Sequence, residues 1–220
     1  MKPECKKYYR EDGSINSEHW YLNDIRHRID GPAYIHYREG ESVRIECWYL
    51  NGNRHRTNGP AVIHYRKDGS VKEECWYLND NRHRTDGPAV IHYRENGNVE
   101  REYWYLNDKR HKVNGPAVIY YREDGSIERE IWYLNDKCHR TYGPALVHYK
   151  GDGNIRKEHW YLNGKYIDPK EYLISTPETE EEKIELINEI AFVKDGNDYI
   201  FIKEWLRNDK EFYEKYRVLM

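Results

Sequence analysis

No stretch of this 220-residue chain approaches the ~18 consecutive apolar residues that a membrane-spanning helix needs. The start, Met1-Lys2-Pro3-Glu4-Cys5-Lys6-Lys7, has no apolar run, so no secretion signal is expected and an intracellular, cytoplasmic location is. Cysteine is scarce. Cys5, Cys47, Cys75 and Cys138 show no Cys-x-x-Cys spacing, which argues for reduced thiols and against a disulfide framework. Neither sign of charge dominates: 36 Lys and Arg face 39 Asp and Glu, a net charge of -3, so no global attraction to nucleic acid follows. Aliphatic residues are few and mean hydropathy is low, a balance that in other chains signals disorder.

What is present is periodic. Trp-Tyr-Leu-Asn begins at Trp20, Trp48, Trp76, Trp104, Trp132 and Trp160, each copy 28 residues after the last. Aromatic residues held in register indicate an ordered repeat array. In the third copy Val62-Ile63-His64-Tyr65-Arg66 favours a strand, and Asp68-Gly69 signals a hairpin. Val71 to Leu78 reads as the return strand, and Asn79 to Asp86 as a longer turn leading to the next Gly87-Pro88-Ala89. Proline cannot donate to a ladder, so Gly-Pro-Ala is expected to mark the start of each strand.

The expected fold is mainly β: a repetitive antiparallel β-hairpin meander of eleven or twelve strands in one extended twisted sheet, spanning residues 1–168. Strand alternation places Ala61, Ile63, Tyr65, Glu74, Trp76 and Leu78 on one side, taken as the packed one. Trp20, Trp48, Trp76, Trp104, Trp132 and Trp160 are its structural column. The position before each Trp varies among His, Cys, Tyr and Ile, and is expected to be exposed. After Leu162 the pattern fails. Thr176-Pro177-Glu178 reads as a helix start, so residues 169–220 are expected to form a small α-helical C-terminal cap.

These features resemble the MORN (membrane occupation and recognition nexus) repeats, in the variant form met in bacteria and large DNA viruses. The matching elements are stretches such as Tyr93 to Gly97, turns such as Trp48 to Gly52, and the histidines His27, His55, His83, His111 and His139. The period of 28 is longer than the common repeat, and His-Arg-x-x-Gly-Pro-Ala stands where the ordinary motif has Gly-x-Gly. The resemblance implies a row of β-hairpins in one long sheet, serving as a scaffold or interaction surface.

A glutamate two residues before each Trp and a histidine in each long turn suggest an acid/base pair. The pair recurs at every rung with no nucleophile beside it, so turn-ordering hydrogen bonds are the expected role and no enzymatic activity or cofactor is. Equivalent positions in a two-strand repeat lie about 9.5 Å apart. Two ligands of one zinc must come within roughly 4 Å of each other, and bonded cysteines need Cα atoms within about 7 Å. Metal binding by the columns and a Cys47–Cys75 disulfide are therefore not expected.

The long turns carry Arg26, Arg28, Arg54, Arg56, Arg82, Arg84, Arg110, Lys112 and Arg140, a candidate basic ladder. Pairing with aspartates of the same turn would neutralise it. Left free, it could meet phosphates of a phosphoinositide, another anionic surface or a nucleic acid. Tyr49, Tyr77, Tyr105, Tyr133, His64 and His92 form a candidate exposed binding face. The leading expectation is a non-enzymatic scaffold for protein–protein interaction through its sheet face or loop edge; the rival is anion or phospholipid binding along the ladder. The N-terminal strand around Tyr8 has no helical cover and is a candidate edge for homo-oligomer formation.

Overall fold

The computed structural model describes residues 2–141 and 143–168; the expected helical cap lies outside them. Two compact units are distinguished, Met1–Lys137 and the chain from Cys138 onward. No helix occurs among the described residues. In the first unit ten long strands form an antiparallel meander in chain order, from Glu4–Tyr9 and Ile15–Leu22 to Val118–Tyr121 and Ile127–Ile131. In the second, Leu146–Tyr149, Ile155–Leu162 and Lys165–Ile167 pair antiparallel in succession.

Each central repeat holds four strands rather than the expected two. Val71–Cys75 returns against Val62–Tyr65, but the ladder is interrupted at Trp76. The Trp76 N–H donates to the Ala89 carbonyl at 2.7 Å, and its own carbonyl accepts from His83 at 3.1 Å. The chain thereby leaves the main sheet and folds Tyr77–Leu78 onto Asn81–Arg82.

The tightest turn falls at the start of the Asn79 to Asp86 stretch, which was expected to be one longer turn. Asn79 and Asp80 both have positive φ, 50° and 65°, the two-residue turn whose twist suits a hairpin. The Asp-Gly turn is a three-residue loop: the Arg66 N–H donates to Ser70 O at 2.8 Å, with Gly69 at φ +85°. A bulge follows, because His64 faces Glu73 while Tyr65 faces Val71. Asp68 Oδ1 accepts from the Ser70 N–H and hydroxyl at 2.9 and 2.7 Å, which ties the loop down locally.

Both faces of the sheet are packed, which corrects the one-sided expectation. On the tryptophan side Ala61, Ala89 and Ala117 are wholly buried beside Ile63, Ile91 and Ile119. On the other side Cys47, Val62, Cys75 and Val90 form a buried row covered by Tyr49, Tyr77 and Tyr105. Val62 stands opposite both Cys47 and Cys75, so the position before Trp is a core site where a small thiol fits under tyrosine rings. The proline of Gly-Pro-Ala sits one residue before pairing begins, since the Ala61 N–H already donates to Cys75 O at 2.8 Å.

No disulfide joins Cys5, Cys47, Cys75 or Cys138, and burial pushes the Cys47 thiol up to about 12. Cys47 and Cys75 are expected to resist a thiol reagent such as DTNB until the array unfolds, whereas Cys5 and Cys138 react in the native state. Fast labelling of Cys75 in the folded protein would contradict the buried row.

Candidate interaction site on the loop edge

The basic ladder divides into two columns with different partners. Arg54, Arg82 and Arg110 each reach forward one repeat. Their guanidinium carbons lie 4.0, 4.1 and 3.9 Å from the ring centroids of Tyr77, Tyr105 and Tyr133. Their Nε atoms donate to Asp80, Asp108 and Asp136, each at 2.7 Å. These carboxylates belong to the following repeat, not to the same turn as expected. Arg26 departs from the column: Gly52 stands where the others meet an aspartate, and Arg26 lies instead among Tyr21, Tyr34 and Tyr49.

The second column stacks on indole. Arg28, Arg56 and Arg84 lie 3.9, 3.9 and 4.2 Å from the rings of Trp20, Trp48 and Trp76, and Lys112 lies 3.7 Å from Trp104. Such contacts contribute about 0.5–2 kcal/mol each, depending on desolvation. The glycine of Gly-Pro-Ala closes the other side: a Cβ at Gly87 would stand 2.6 Å from Arg84 Cζ, and one at Gly59 3.0 Å from Arg56 Cζ. A flat guanidinium is thus held between an indole and a bare backbone. In the second unit Arg140 donates to Pro144 O at 3.2 Å.

The candidate face residues Tyr49, Tyr77, Tyr105, Tyr133, His64 and His92 are half-buried rather than exposed. The turn histidines bind the next repeat: Nδ1 of His55 and of His83 lies 2.8 Å from Oδ1 of Asn79 and of Asn107, and the Asn163 N–H donates to His139 Nδ1 at 3.0 Å. The glutamate column serves tyrosines, with Tyr65 and Tyr93 donating to Glu46 and Glu74 at 2.7 Å. The two columns therefore bind different groups. Among the described residues no group of three or more His, Cys, Asp or Glu is placed to hold a metal ion.

A third arginine column was not anticipated. Arg38 and Arg66 each donate to a carbonyl of their own hairpin, Val43 O and Val71 O, both at 2.6 Å. Each also donates to a carbonyl of the next hairpin, Tyr65 O and Tyr93 O. Arg94 does the latter to Tyr121 O at 2.5 Å. Its signal is a cation at the strand end every 28 residues, Arg10, Arg38, Arg66, Arg94 and Arg122, with Lys150 in the sixth copy.

A groove of about 630 Å³ opens on this edge between two successive long turns. Arg56, Thr57, Asn58 and Gly59 line one side, His83, Arg84, Thr85 and Asp86 the other, with Trp76 and Leu78 between them. Thr57, Asn58, Thr85 and Asp86 are exposed. Arg84 is matched by Asp86 at 2.9 Å, whereas Arg56 has Asn58 in the equivalent place.

No protein-family model matches the chain, and a search of curated proteins finds no match. The hairpin meander is compatible with a MORN-like repeat. Among the described residues no helix is long and apolar enough to cross a membrane.

Two titration effects follow from this geometry. Burial holds His64 and His92 below the usual imidazole range, although Glu73 pulls both upward. Stability from such neutral histidines is complete above the free value of ~6.5 and is lost as pH falls toward the lower folded values. Burial pushes the Asp80 carboxyl up, but the hydrogen bonds and charge of Arg54 outweigh it and leave it low. That contribution is present above ~3.9 and disappears as pH falls through the depressed folded value. Thermal unfolding against pH is expected to show two descending stages, with the upper one flattened in a His64→Gln, His92→Gln variant.

The inter-repeat ion pairs are half-exposed, so each is expected to contribute about 0.5–1 kcal/mol. A double-mutant cycle with Arg54→Met and Asp80→Asn measures this coupling, which should shrink between 50 mM and 1 M salt.

Proposed function

We propose that the chain is a non-enzymatic repeat scaffold, related to the MORN-like repeats, that binds another protein through its loop edge in the cytoplasm. The observation that carries this reading is the groove between successive turns, where an indole, a leucine, hydroxyls and a guanidinium meet at the surface. The columns of Arg54 and Arg84 support it from the other side, because those cations are already matched by aspartates. The rival reading, anion or phosphoinositide binding, draws on Arg56 and Lys112, which face Asn58 and Asn114 at the corresponding position.

The two are separated by co-sedimentation with phosphoinositide vesicles across a salt series, beside affinity capture of protein partners. The scaffold reading expects no vesicle binding at 150 mM salt, and capture of a partner that is lost when Thr57 and Thr85 are replaced by arginine. Vesicle binding that collapses between low and moderate salt, without a captured partner, would favour the rival.

A further inference from the structure

Resting on the scaffold reading, we propose that the groove at Arg56 receives an extended acidic peptide, one carboxylate seated on the Arg56 guanidinium and a neighbouring apolar side chain against Trp76 and Leu78. The neighbouring rungs display the complex this site would form. In the copies before and after, the Arg28 and Arg84 Nε–H groups donate to Asp30 and Asp86 at 2.8 and 2.9 Å. Arg56 has the same posture, stacked on Trp48 at 3.9 Å, backed by Gly59, and donating through Nη1 to Pro60 O at 3.1 Å. The residue two positions on is Asn58, which brings no charge.

A guanidinium held between ring and backbone retains its fork geometry, so little freedom is lost when a carboxylate arrives. The carboxylates of Glu46 and Glu74, on the tryptophan side, are held by the Tyr65 and Tyr93 hydroxyls. Asp86, the one acid lining the groove, is paired with Arg84. Arg56 is thus the arginine lining the groove to which no carboxylate is hydrogen-bonded, and it lies beside an aromatic wall.

The pattern recurs at the alternate rung, where Lys112 lies on Trp104 and residue 114 is again Asn. Arg56 and Lys112 are separated by two repeats, four interstrand steps, or about 19 Å. An extended peptide spans that distance in about six residues at roughly 3.3 Å each. The best-fitting segment therefore carries acids six positions apart with apolar residues between them.

Fluorescence anisotropy with a labelled peptide Glu-Val-Ser-Leu-Ser-Val-Glu, against its counterpart with both Glu replaced by Gln, tests this directly. The acidic peptide is expected to bind at least tenfold more tightly than the Gln peptide. Asn58→Asp should weaken binding of the acidic peptide about tenfold, because the protein's own carboxylate then takes the seat. That variant reproduces the arrangement of two neighbouring rungs, and an unchanged thermal melt verifies its fold. Equal affinity for the two peptides, no binding by either, or indifference to Asn58→Asp overturns the proposal. So does binding to phosphatidylserine vesicles that is abolished by Asn58→Asp while the peptide fails to compete. A captured protein partner that still depends on Thr57 and Thr85 would leave the scaffold reading standing after any of these outcomes.

Discussion

Arg66→Ala is expected to lower the free energy of unfolding by about 3 kcal/mol, although the residue stands at a sheet edge where arginine ordinarily does little. Its guanidinium donates to Val71 O within one hairpin and to Tyr93 O in the next. A hydrogen bond from a charged donor contributes about 1.5–3 kcal/mol, and truncation leaves two main-chain acceptors without a partner. In a repeat array stability is the sum of unit terms and nearest-neighbour terms, so a bond across the seam acts on both hairpins. Urea unfolding should show a lower midpoint at unchanged slope. Lys67→Ala, exposed in the same loop, serves as the control and should fall within about 0.5 kcal/mol of the parent. A loss below about 1 kcal/mol for Arg66→Ala would mean that water replaces the guanidinium and that the seam is held elsewhere.

Ala89→Leu is expected to cost a similar amount, about 3 kcal/mol, by a different route. Ala89 is wholly buried, its N–H donating to Tyr103 O at 2.9 Å and its carbonyl accepting from Trp76 at 2.7 Å. Those bonds fix the backbone on both sides, so a larger side chain must displace its neighbours, and overpacking of this kind costs about 1–3 kcal/mol. The same constraint explains an alanine in all five Gly-Pro-Ala copies. Chemical denaturation measures the loss, and the indole emission of the folded variant should shift as Trp76 is displaced. Tolerance of leucine within about 0.5 kcal/mol would show that the seam between hairpins is loose.

Much of this fold is legible in the sequence because the repeat is strict. The strands Val62–Tyr65 and Val71–Cys75 follow from β-branched residues flanking a turn, and the meander from the 28-residue period. Turn chemistry was read less well. Both Asp-Gly and Asn-Asp tolerate positive φ, and only the ladder decides which forms the two-residue turn. The face of Cys75 differs from the expectation, because a position that accepts His, Cys, Tyr and Ile looks exposed, whereas tyrosine rings, Tyr77 and Tyr105 among them, pack against the buried row it belongs to. The arginine partners were missed for a related reason. Arg54 finds Asp80 and not Asp24 or another nearby acid, and a contact 26 residues away is invisible to local pairing rules. The groove is not legible in any single repeat, since it exists only when two turns lie side by side. Its one sequence signal was the alternation of Asp30, Asn58, Asp86 and Asn114 along the loop column.

Everything functional here depends on successive hairpins lying side by side with two long strands per repeat. Spin labels at Thr57 and Val113, exposed at equivalent positions two repeats apart, report that arrangement through their dipolar coupling. Four interstrand steps predict a backbone separation of about 19 Å. A separation of about 10 Å, two steps for two repeats, would mean one strand per repeat and would contradict the meander, the seam and the groove together.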